Sequence, residues 1–230
     1  MSDAALDFLT LLADLQQRFR SSIPADLAVA IPTCGDWTAK ELVQHLADVH
    51  RWAAGMARGV NEWEEGPEQG EQGLAHYYEA CAALLRDTLA EVGPGSLAKT
   101  LVGPGPVSFW HRRQAHETLI HLYDLRTPLA LGVDSIAAEL WADGVDEVVT
   151  MFYPRQVTLG RTEPVPYAVA LVASDLDAVW ILGEGAPVAT VTAPARELDL
   201  LLWGRIGLAH LTTAGDEAKL AETLRTKLTP

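Results

Sequence analysis

The sequence has no apolar run long enough to cross a membrane, and it is short of positive charge. A membrane-spanning helix needs about 20 predominantly apolar residues, and no stretch of the chain approaches that length. Lysine and arginine total 17 against 31 aspartate and glutamate, a net charge of −14. Because binding nucleic-acid phosphates requires clustered Lys and Arg, this balance argues against a nucleic-acid partner. The N-terminal stretch carries acids where a signal peptide needs positive charge, so we expect a soluble, cytoplasmic protein with no membrane partner.

Cysteine is scarce as well, which excludes a disulfide framework or a cysteine-rich metal site. The two cysteines, Cys34 and Cys81, lie far apart and form no CxxC spacing. We predict two buried free thiols. Cys34 follows Pro32 and Thr33 at a predicted helix entrance, where the helix N-terminus could stabilise a thiolate, but no adjacent base in the sequence supports a nucleophilic role.

Apolar residues, in contrast, make up 49% of the 230 residues, enough to bury a substantial core. Up to about Phe152 they recur at helical spacing between Pro and Gly breaks, and Thr38 with Glu41 forms a capping-box pattern at the start of the second helix. The segment GPGSLAKTLVGPGP is predicted to be irregular, and NEWEEGPEQGEQG to be an exposed acidic loop. After Gly160, three short β-runs precede two helices. The predicted fold is therefore mainly α: an antiparallel helical bundle in residues 1–155 and a small three-stranded α+β domain in residues 156–230.

The string HETLIH, within WHRRQAHETLIHLYDLR, raises the possibility of a metal site. It nearly matches the HExxH pattern of zinc proteases, but its second histidine comes one residue late. A helix turns about 100° per residue, so side chains four apart share a face and side chains five apart do not. Glu117 and His121 could therefore bind one ion, whereas His116 and His121 could not. The alternative interpretation is a pair of polar residues on a half-exposed helix, and a metal site would need a third ligand from elsewhere.

The second helix offers His45 and His50, whose five-residue spacing allows at most one of them to reach a shared site. His45 lies among apolar residues, a position more typical of a core histidine than of a ligand. Two histidines and a carboxylate would suit zinc with an open fourth position, the pattern of a catalytic site. Asp124, three residues after His121, could orient that ligand or could be a solvated acid at the helix end. Trp37 and the other tryptophans beside these motifs are predicted to belong to the core.

Three stretches together resemble the mycothiol-dependent maleylpyruvate isomerase family. CGDWTAKELVQHLADVHRWA is similar to the family's Cys/Gly–Trp–Thr entry to a helix that carries a His-Leu pair. RRQAHETLIHLYD resembles its Arg-Arg, His-Glu, His and Asp pattern, and DAVWILGEGAPVATVTAPARELDLLLWGR resembles its small C-terminal domain. These stretches cover under half of the residues but occur in the family's order. The resemblance implies a DinB-like, metal-binding four-helix N-terminal domain.

The resemblance also implies the site residues. His45, Glu117 and His121 would be the ligands of Zn²⁺ or another divalent metal, and mycothiol would be the thiol cosubstrate. Arg205 and Asp124 become the candidate catalytic residues, with Arg205 binding a substrate carboxylate through its two-pronged guanidinium.

Two further arginines, Arg112 and Arg113, are candidates for contacting anionic groups of the bound thiol or substrate. Alternatively, they pair with acids in this acidic chain.

The expected activity is that of an isomerase or S-transferase in which a metal-bound thiolate attacks a small electrophilic acid or metabolite. Addition to a conjugated cis double bond allows rotation, and elimination then returns the trans acid and the free thiol. Two other hypotheses stay open: a non-enzymatic metal-binding or regulatory module, and a metal-dependent hydrolase that uses bound water. The expected state is a monomer or a homodimer.

Overall fold

The computed structural model describes residues 6–60 and 71–230, so most of the predicted acidic loop lies outside the described residues. Contacts divide the chain into two compact units, Met1–Asp134 and Ser135–Pro230. Among the described residues, no helix is both long and apolar enough to span a bilayer.

The first unit contains four long helices, each of which packs against two others. They are α1 (Phe8–Ser22), α2 (Ala39–Ala57), α3 (Glu71–Val92) and α4 (Ser108–Arg126). Helix α2 packs on α3 and α4, and α1 packs on α4 and α3. The side chains between them are apolar and fully buried, among them Leu12, Phe19, Leu42, Leu46, Leu85 and Leu119. Burial of these faces stabilises the helices more than intrinsic helix propensity does.

The start of α2 follows the predicted capping box. The backbone N–H of Thr38 donates to the Glu41 carboxylate at 2.9 Å, and the Thr38 side chain accepts from the backbone of the first turn. A 3₁₀ turn, Pro32–Cys34, precedes this helix, and a second one, Thr127–Leu129, follows α4.

The Gly- and Pro-rich segment before α4 is more regular than predicted. It forms an antiparallel hairpin of β1 (Leu97–Thr100) and β2 (Gly103–Pro106). The turn between the strands uses Gly103 at φ 111°, a conformation open mainly to glycine. The indole N–H of the buried Trp110 donates to the Lys99 carbonyl at 2.8 Å, which joins the hairpin to α4.

The second unit combines short helices with a small sheet. Its helices are α5 (Ala138–Glu147), α6 (Tyr153–Thr158), α7 (Ala195–Leu202) and α8 (Glu217–Thr223), with a π-helical segment at Val148–Phe152 and a 3₁₀ turn at Leu208–His210. The strands are β3 (Val169–Ala173), β4 (Val179–Leu182), β5 (Ala189–Ala193) and β6 (Thr212–Gly215), in the order β4-β3-β5-β6. Strands β3 and β5 are parallel, and the other two pairs are antiparallel.

The prediction of a mainly helical chain with a smaller sheet region is confirmed, but the second unit differs from it in detail. A fourth strand, β6, adds to the predicted three. Its sequence, TTAG, is short and mostly exposed, so it lacks the apolar alternation that reveals a strand. The sequence places the domain boundary at 155/156, where composition changes. In the structure α5 packs on α7, and the contacts divide the chain after Asp134.

Helix α5 contains a glycine, Gly144, that lies close to the buried carboxylate of Asp199 on α7. A Cβ at Gly144 would lie 2.5 Å from Oδ2 of the buried Asp199. Such overpacking costs about 1–3 kcal/mol, which exceeds the gain of up to about 1 kcal/mol for Gly→Ala in a helix. We therefore expect Gly144→Ala to lower the melting temperature by roughly 2–6 °C, measured by circular dichroism.

Gly55→Ala is the matched control, because its nearest neighbours are atoms of Val60 at 3.7 and 3.8 Å. This variant should melt at or above the wild-type temperature. A Gly144→Ala protein that melts no lower than wild type would contradict the close contact with Asp199.

Candidate metal centre

Helices α2 and α4 bring His45, Glu117 and His121 together. One ligand atom from each lies within 4.8 Å of the other two. Oε1 of Glu117 is 3.6 Å from Nε2 of His45 and 3.4 Å from Nε2 of His121. The four-residue spacing on α4 places Glu117 and His121 on one face, as the helical geometry predicts.

These distances fit a bound divalent ion. In tetrahedral zinc sites the bonds to N and O ligands are about 2.0–2.2 Å, which separates neighbouring ligand atoms by roughly 3.4 Å. The distances from Glu117 to the two imidazole nitrogens, 3.6 and 3.4 Å, are close to that value. Two imidazoles and one carboxylate also leave positions open for an exogenous ligand. The donor set is therefore suited to a catalytic type of metal site.

Two other histidines near these motifs, His50 and His116, point elsewhere. His116 is buried, with its ring centroid 5.8 Å from that of Phe8 on α1. His50 is fully buried, and its Nδ1 lies 2.8 Å from Oε1 of Gln114. Burial lowers the pKa of His50 to about 4, so this imidazole is neutral. The five-residue spacing on each helix thus separates one histidine at the centre from one in the core.

Glu117 is held as a carboxylate by the groups around it. Burial alone would raise the pKa of its carboxyl, but hydrogen bonds from His121 and His45 and the charge of Arg113 hold that pKa well below the usual value. The guanidinium of Arg113 donates to Oε2 at 2.7 Å, and its side chain is only 3% exposed. Since Arg113 engages Oε2, the opposite oxygen, Oε1, is the one that faces the two histidines.

His121 is oriented by Asp124. Its Nδ1 lies 3.0 Å from Oδ2 of Asp124, a carboxylate with no exposed surface. Burial alone would lower the pKa of His121, but Asp124, Cys34 and Glu117 hold it well above the usual value. A proton on Nδ1 shared with Asp124 leaves Nε2 directed at Glu117. Asp124 is therefore a buried partner of His121 and not a solvated acid.

Two residues of the turn before α2 also reach the centre. The ring of Trp37 packs against the ring of His45, with centroids 4.9 Å apart. The thiol of Cys34 donates to Oδ2 of Asp124 at 3.4 Å. The sequence motif CGDWT placed both residues near the helix entrance. Sequence reasoning gave neither of them a role at the centre, because the contacts of Cys34 cross 90 positions of the chain.

The remaining predicted residues lie in different surroundings. Arg112 is half-buried on α4. Arg205 belongs to the second unit, directly after α7, and is half-buried. Its Nη1 donates to the carbonyl of Trp203 at 2.9 Å, and its guanidinium lies 5.9 Å from the Trp203 ring centroid. The roles of these two arginines stay predictions.

Two family models match the chain, one for each unit. The mycothiol maleylpyruvate isomerase N-terminal domain matches residues 9–126. The C-terminal domain of the same family matches residues 139–222. Comparison with curated proteins gives no match.

Two solved structures are similar over most of their length. The first is the crystal structure of the mycothiol-dependent maleylpyruvate isomerase, with 14% identity and a TM-score of 0.74, covering 91% of this chain and 93% of that one. The second is a crystal structure of a histidine-to-alanine mutant of a mycothiol-dependent maleylpyruvate isomerase, with 15% identity, a TM-score of 0.72 and the same coverage. At these identities the likeness shows a shared fold.

The raised pKa of His121 predicts how metal affinity depends on pH. A proton on Nε2 competes with the ion, so affinity should fall by about tenfold per pH unit below that pKa. Because the pKa lies above its usual value, about 6.5, the decline should begin above that pH. In Asp124→Asn the decline should begin at lower pH, while the affinity at high pH should be about 10–100-fold weaker.

Competitive titration with Co²⁺ between about pH 6 and pH 8.5, a range that brackets the usual histidine pKa, measures both effects. Asp14→Asn is the control, because Asp14 is exposed and pairs with Arg18. Profiles that coincide in wild type and Asp124→Asn would contradict the role of Asp124.

Proposed function

The chain belongs to the mycothiol-dependent maleylpyruvate isomerase family, and on that premise we propose that it is a metal- and mycothiol-dependent isomerase of a small unsaturated acid. The observation that carries the proposal is the cluster of His45, Glu117 and His121, with ligand atoms within 4.8 Å of one another. We assign these residues as ligands of Zn²⁺ or another divalent ion. The same donors accept several such ions, so the choice depends on metal availability as well as on the ligands.

The chemistry of a thiol-dependent isomerase explains why a metal is needed. A free thiol has a pKa of about 8.5 and is mostly protonated near neutral pH, whereas the thiolate is the nucleophile. A divalent ion held by the three ligands would supply the positive charge that favours the thiolate form of a coordinated thiol. The substrate class that needs such a nucleophile is an acid with a conjugated cis double bond.

The surrounding residues orient the proposed ligands. Arg113 donates to Oε2 of Glu117, so Oε1 stays available to an ion. Asp124 faces Nδ1 of His121, so Nε2 is the nitrogen that an ion would take, in competition with a proton. Trp37 lies against His45 and restricts the rotation of its ring. The helices therefore present a preorganised donor set, which lowers the reorganisation needed when the ion and the thiol bind.

Calorimetric titration of mycothiol tests the proposal most directly. We expect binding to the zinc-loaded wild type and none to the chelator-treated protein or to His45→Ala, because the thiol binds at the open metal position. Isomerisation of maleylpyruvate to its trans isomer, followed by absorbance, should be lost and restored together with the metal.

A zinc-loaded protein that binds no mycothiol would contradict the thiol-dependent function and favour a hydrolase or a binding module. A protein that binds mycothiol and releases a stable thioether adduct would instead be an S-transferase.

Arg205 is proposed to bind a carboxylate of the substrate. A guanidinium binds a carboxylate through two parallel hydrogen bonds, which a lysine ammonium cannot reproduce. We expect Arg205→Lys and Arg205→Ala to raise KM about 10-fold or more, corresponding to the loss of roughly 1.5–3 kcal/mol for a charge-assisted hydrogen bond. Affinity for metal and for mycothiol should stay at the wild-type level.

Steady-state kinetics with separate variation of acid and thiol measures this effect. Arg196→Ala, which removes an arginine of α7, is the control. An unchanged KM for the acid in both Arg205 variants would exclude this role.

A further inference from the structure

The turn before α2 holds the thiol of Cys34 in a fixed place. The backbone N–H of Cys34 donates to the carbonyl of Ile31 at 2.9 Å, and its carbonyl accepts from Trp37 at 3.4 Å. Ile31 has no exposed surface, and its own N–H donates to the Trp37 carbonyl at 2.8 Å. Backbone hydrogen bonds thus fix the turn on both sides of Cys34, and the position of its thiol follows from the fold of the turn.

The thiol meets the partner of a proposed metal ligand. The Cys34 thiol donates to Oδ2 of Asp124 at 3.4 Å, and Nδ1 of His121 lies 3.0 Å from the same oxygen. The side chains of Cys34, Asp124 and His121 form a compact group, in which one S, O or N atom of each lies within 4.8 Å of those of the other two. Oδ2 of Asp124 therefore contacts both the Cys34 thiol of the turn and the His121 imidazole of α4.

We propose that Cys34 is a positioning residue of the metal centre, which fixes the Asp124 carboxylate and through it the imidazole of His121. This inference rests on the proposed metal site. Cys34 donates to Asp124, which lies at Nδ1 of His121, whereas Nε2 of His121 lies toward Glu117. It acts through other residues and is not itself a catalytic residue.

The orientation of the Asp124 carboxylate depends on the groups that it contacts. The terminal torsion of aspartate is broad and does not select one orientation of the carboxylate. Asp124 is fully buried, so partners in the protein set its orientation. His121 and Asp124 both lie on α4. A donor from the separate, backbone-fixed turn gives the carboxylate a reference outside that helix.

The same turn also supports the second histidine of the centre. Trp37, three residues after Cys34, packs its ring on His45 with centroids 4.9 Å apart. One turn therefore supports both imidazoles: Trp37 packs on His45, and Cys34 acts on His121 through the hydrogen bonds of Asp124. This arrangement gives the CGDWT motif a function beyond starting a helix.

Two substitutions at Cys34 separate hydrogen bonding from packing. Cys34→Ser keeps a donor, and Cys34→Ala removes it. We expect Cys34→Ala to weaken Co²⁺ binding by about threefold to tenfold, less than the roughly 10–100-fold that follows loss of a direct partner of a ligand. Cys34→Ser should recover most of the affinity. Cys81→Ala, which removes the other thiol, is the control and should bind Co²⁺ as the wild type does.

A second measurement tests the hydrogen bonds from Cys34 through Asp124 to His121 and requires neither metal nor enzymatic activity. In ¹H–¹⁵N spectra of the metal-free protein, exchange of the His121 Nδ1 proton with solvent should be faster in Cys34→Ala than in wild type and should return toward wild type in Cys34→Ser. Wild-type affinity and exchange in Cys34→Ala would overturn the role of Cys34 alone. Equal losses in the Ala and Ser variants would also overturn it, since they indicate packing. If the wild type binds no Co²⁺, the proposed metal site fails together with this inference.

Discussion

The partial burial of the Glu117 carboxylate between two helices is the constraint on which the rest of the centre depends. An ionised carboxylate taken out of water is strongly destabilising unless it is paired and hydrogen-bonded. Arg113 on the same helix, together with the two histidines, provides that compensation. Each compensating group then needs its own partner, and this requirement explains the buried Asp124 behind His121. The negative charge of Glu117 therefore accounts for the polar groups that surround it.

The apolar faces of the helices determine where this network can form. Helices α2 and α4 pack on each other, and His45 reaches Glu117 across that contact. His50 and His116, each five residues from a proposed ligand, are buried in the core instead. Because packing density leaves few alternative arrangements in such a core, the same packing that stabilises the helices also fixes the distance between the donors. Stability and site geometry are consequently linked in this unit.

Sequence reasoning recovered the features that depend on local spacing. The capping box at Thr38 and the shared face of Glu117 and His121 both follow from the 3.6-residue helical period, which can be counted along the chain. The choice of His45 depended on a family resemblance, because spacing along one helix says nothing about the distance to another. The contact between Cys34 and Asp124 joins residues 90 positions apart and had no signal in the sequence. Strand β6 was missed for a related reason, since its four mostly exposed residues are defined by pairing with β5 and not by their own pattern.

The three proposed ligands differ in how far they are exposed to solvent. The side chain of His45 is 32% exposed, that of Glu117 17% and that of His121 11%. This gradient would give metal exchange a direction. An ion arriving from solvent would meet His45 first and then Glu117 and His121, with one position left open for water or a thiol. Release would follow the reverse order, so His45 would govern the rate of exchange, whereas the pair on α4 would govern how tightly the ion is retained.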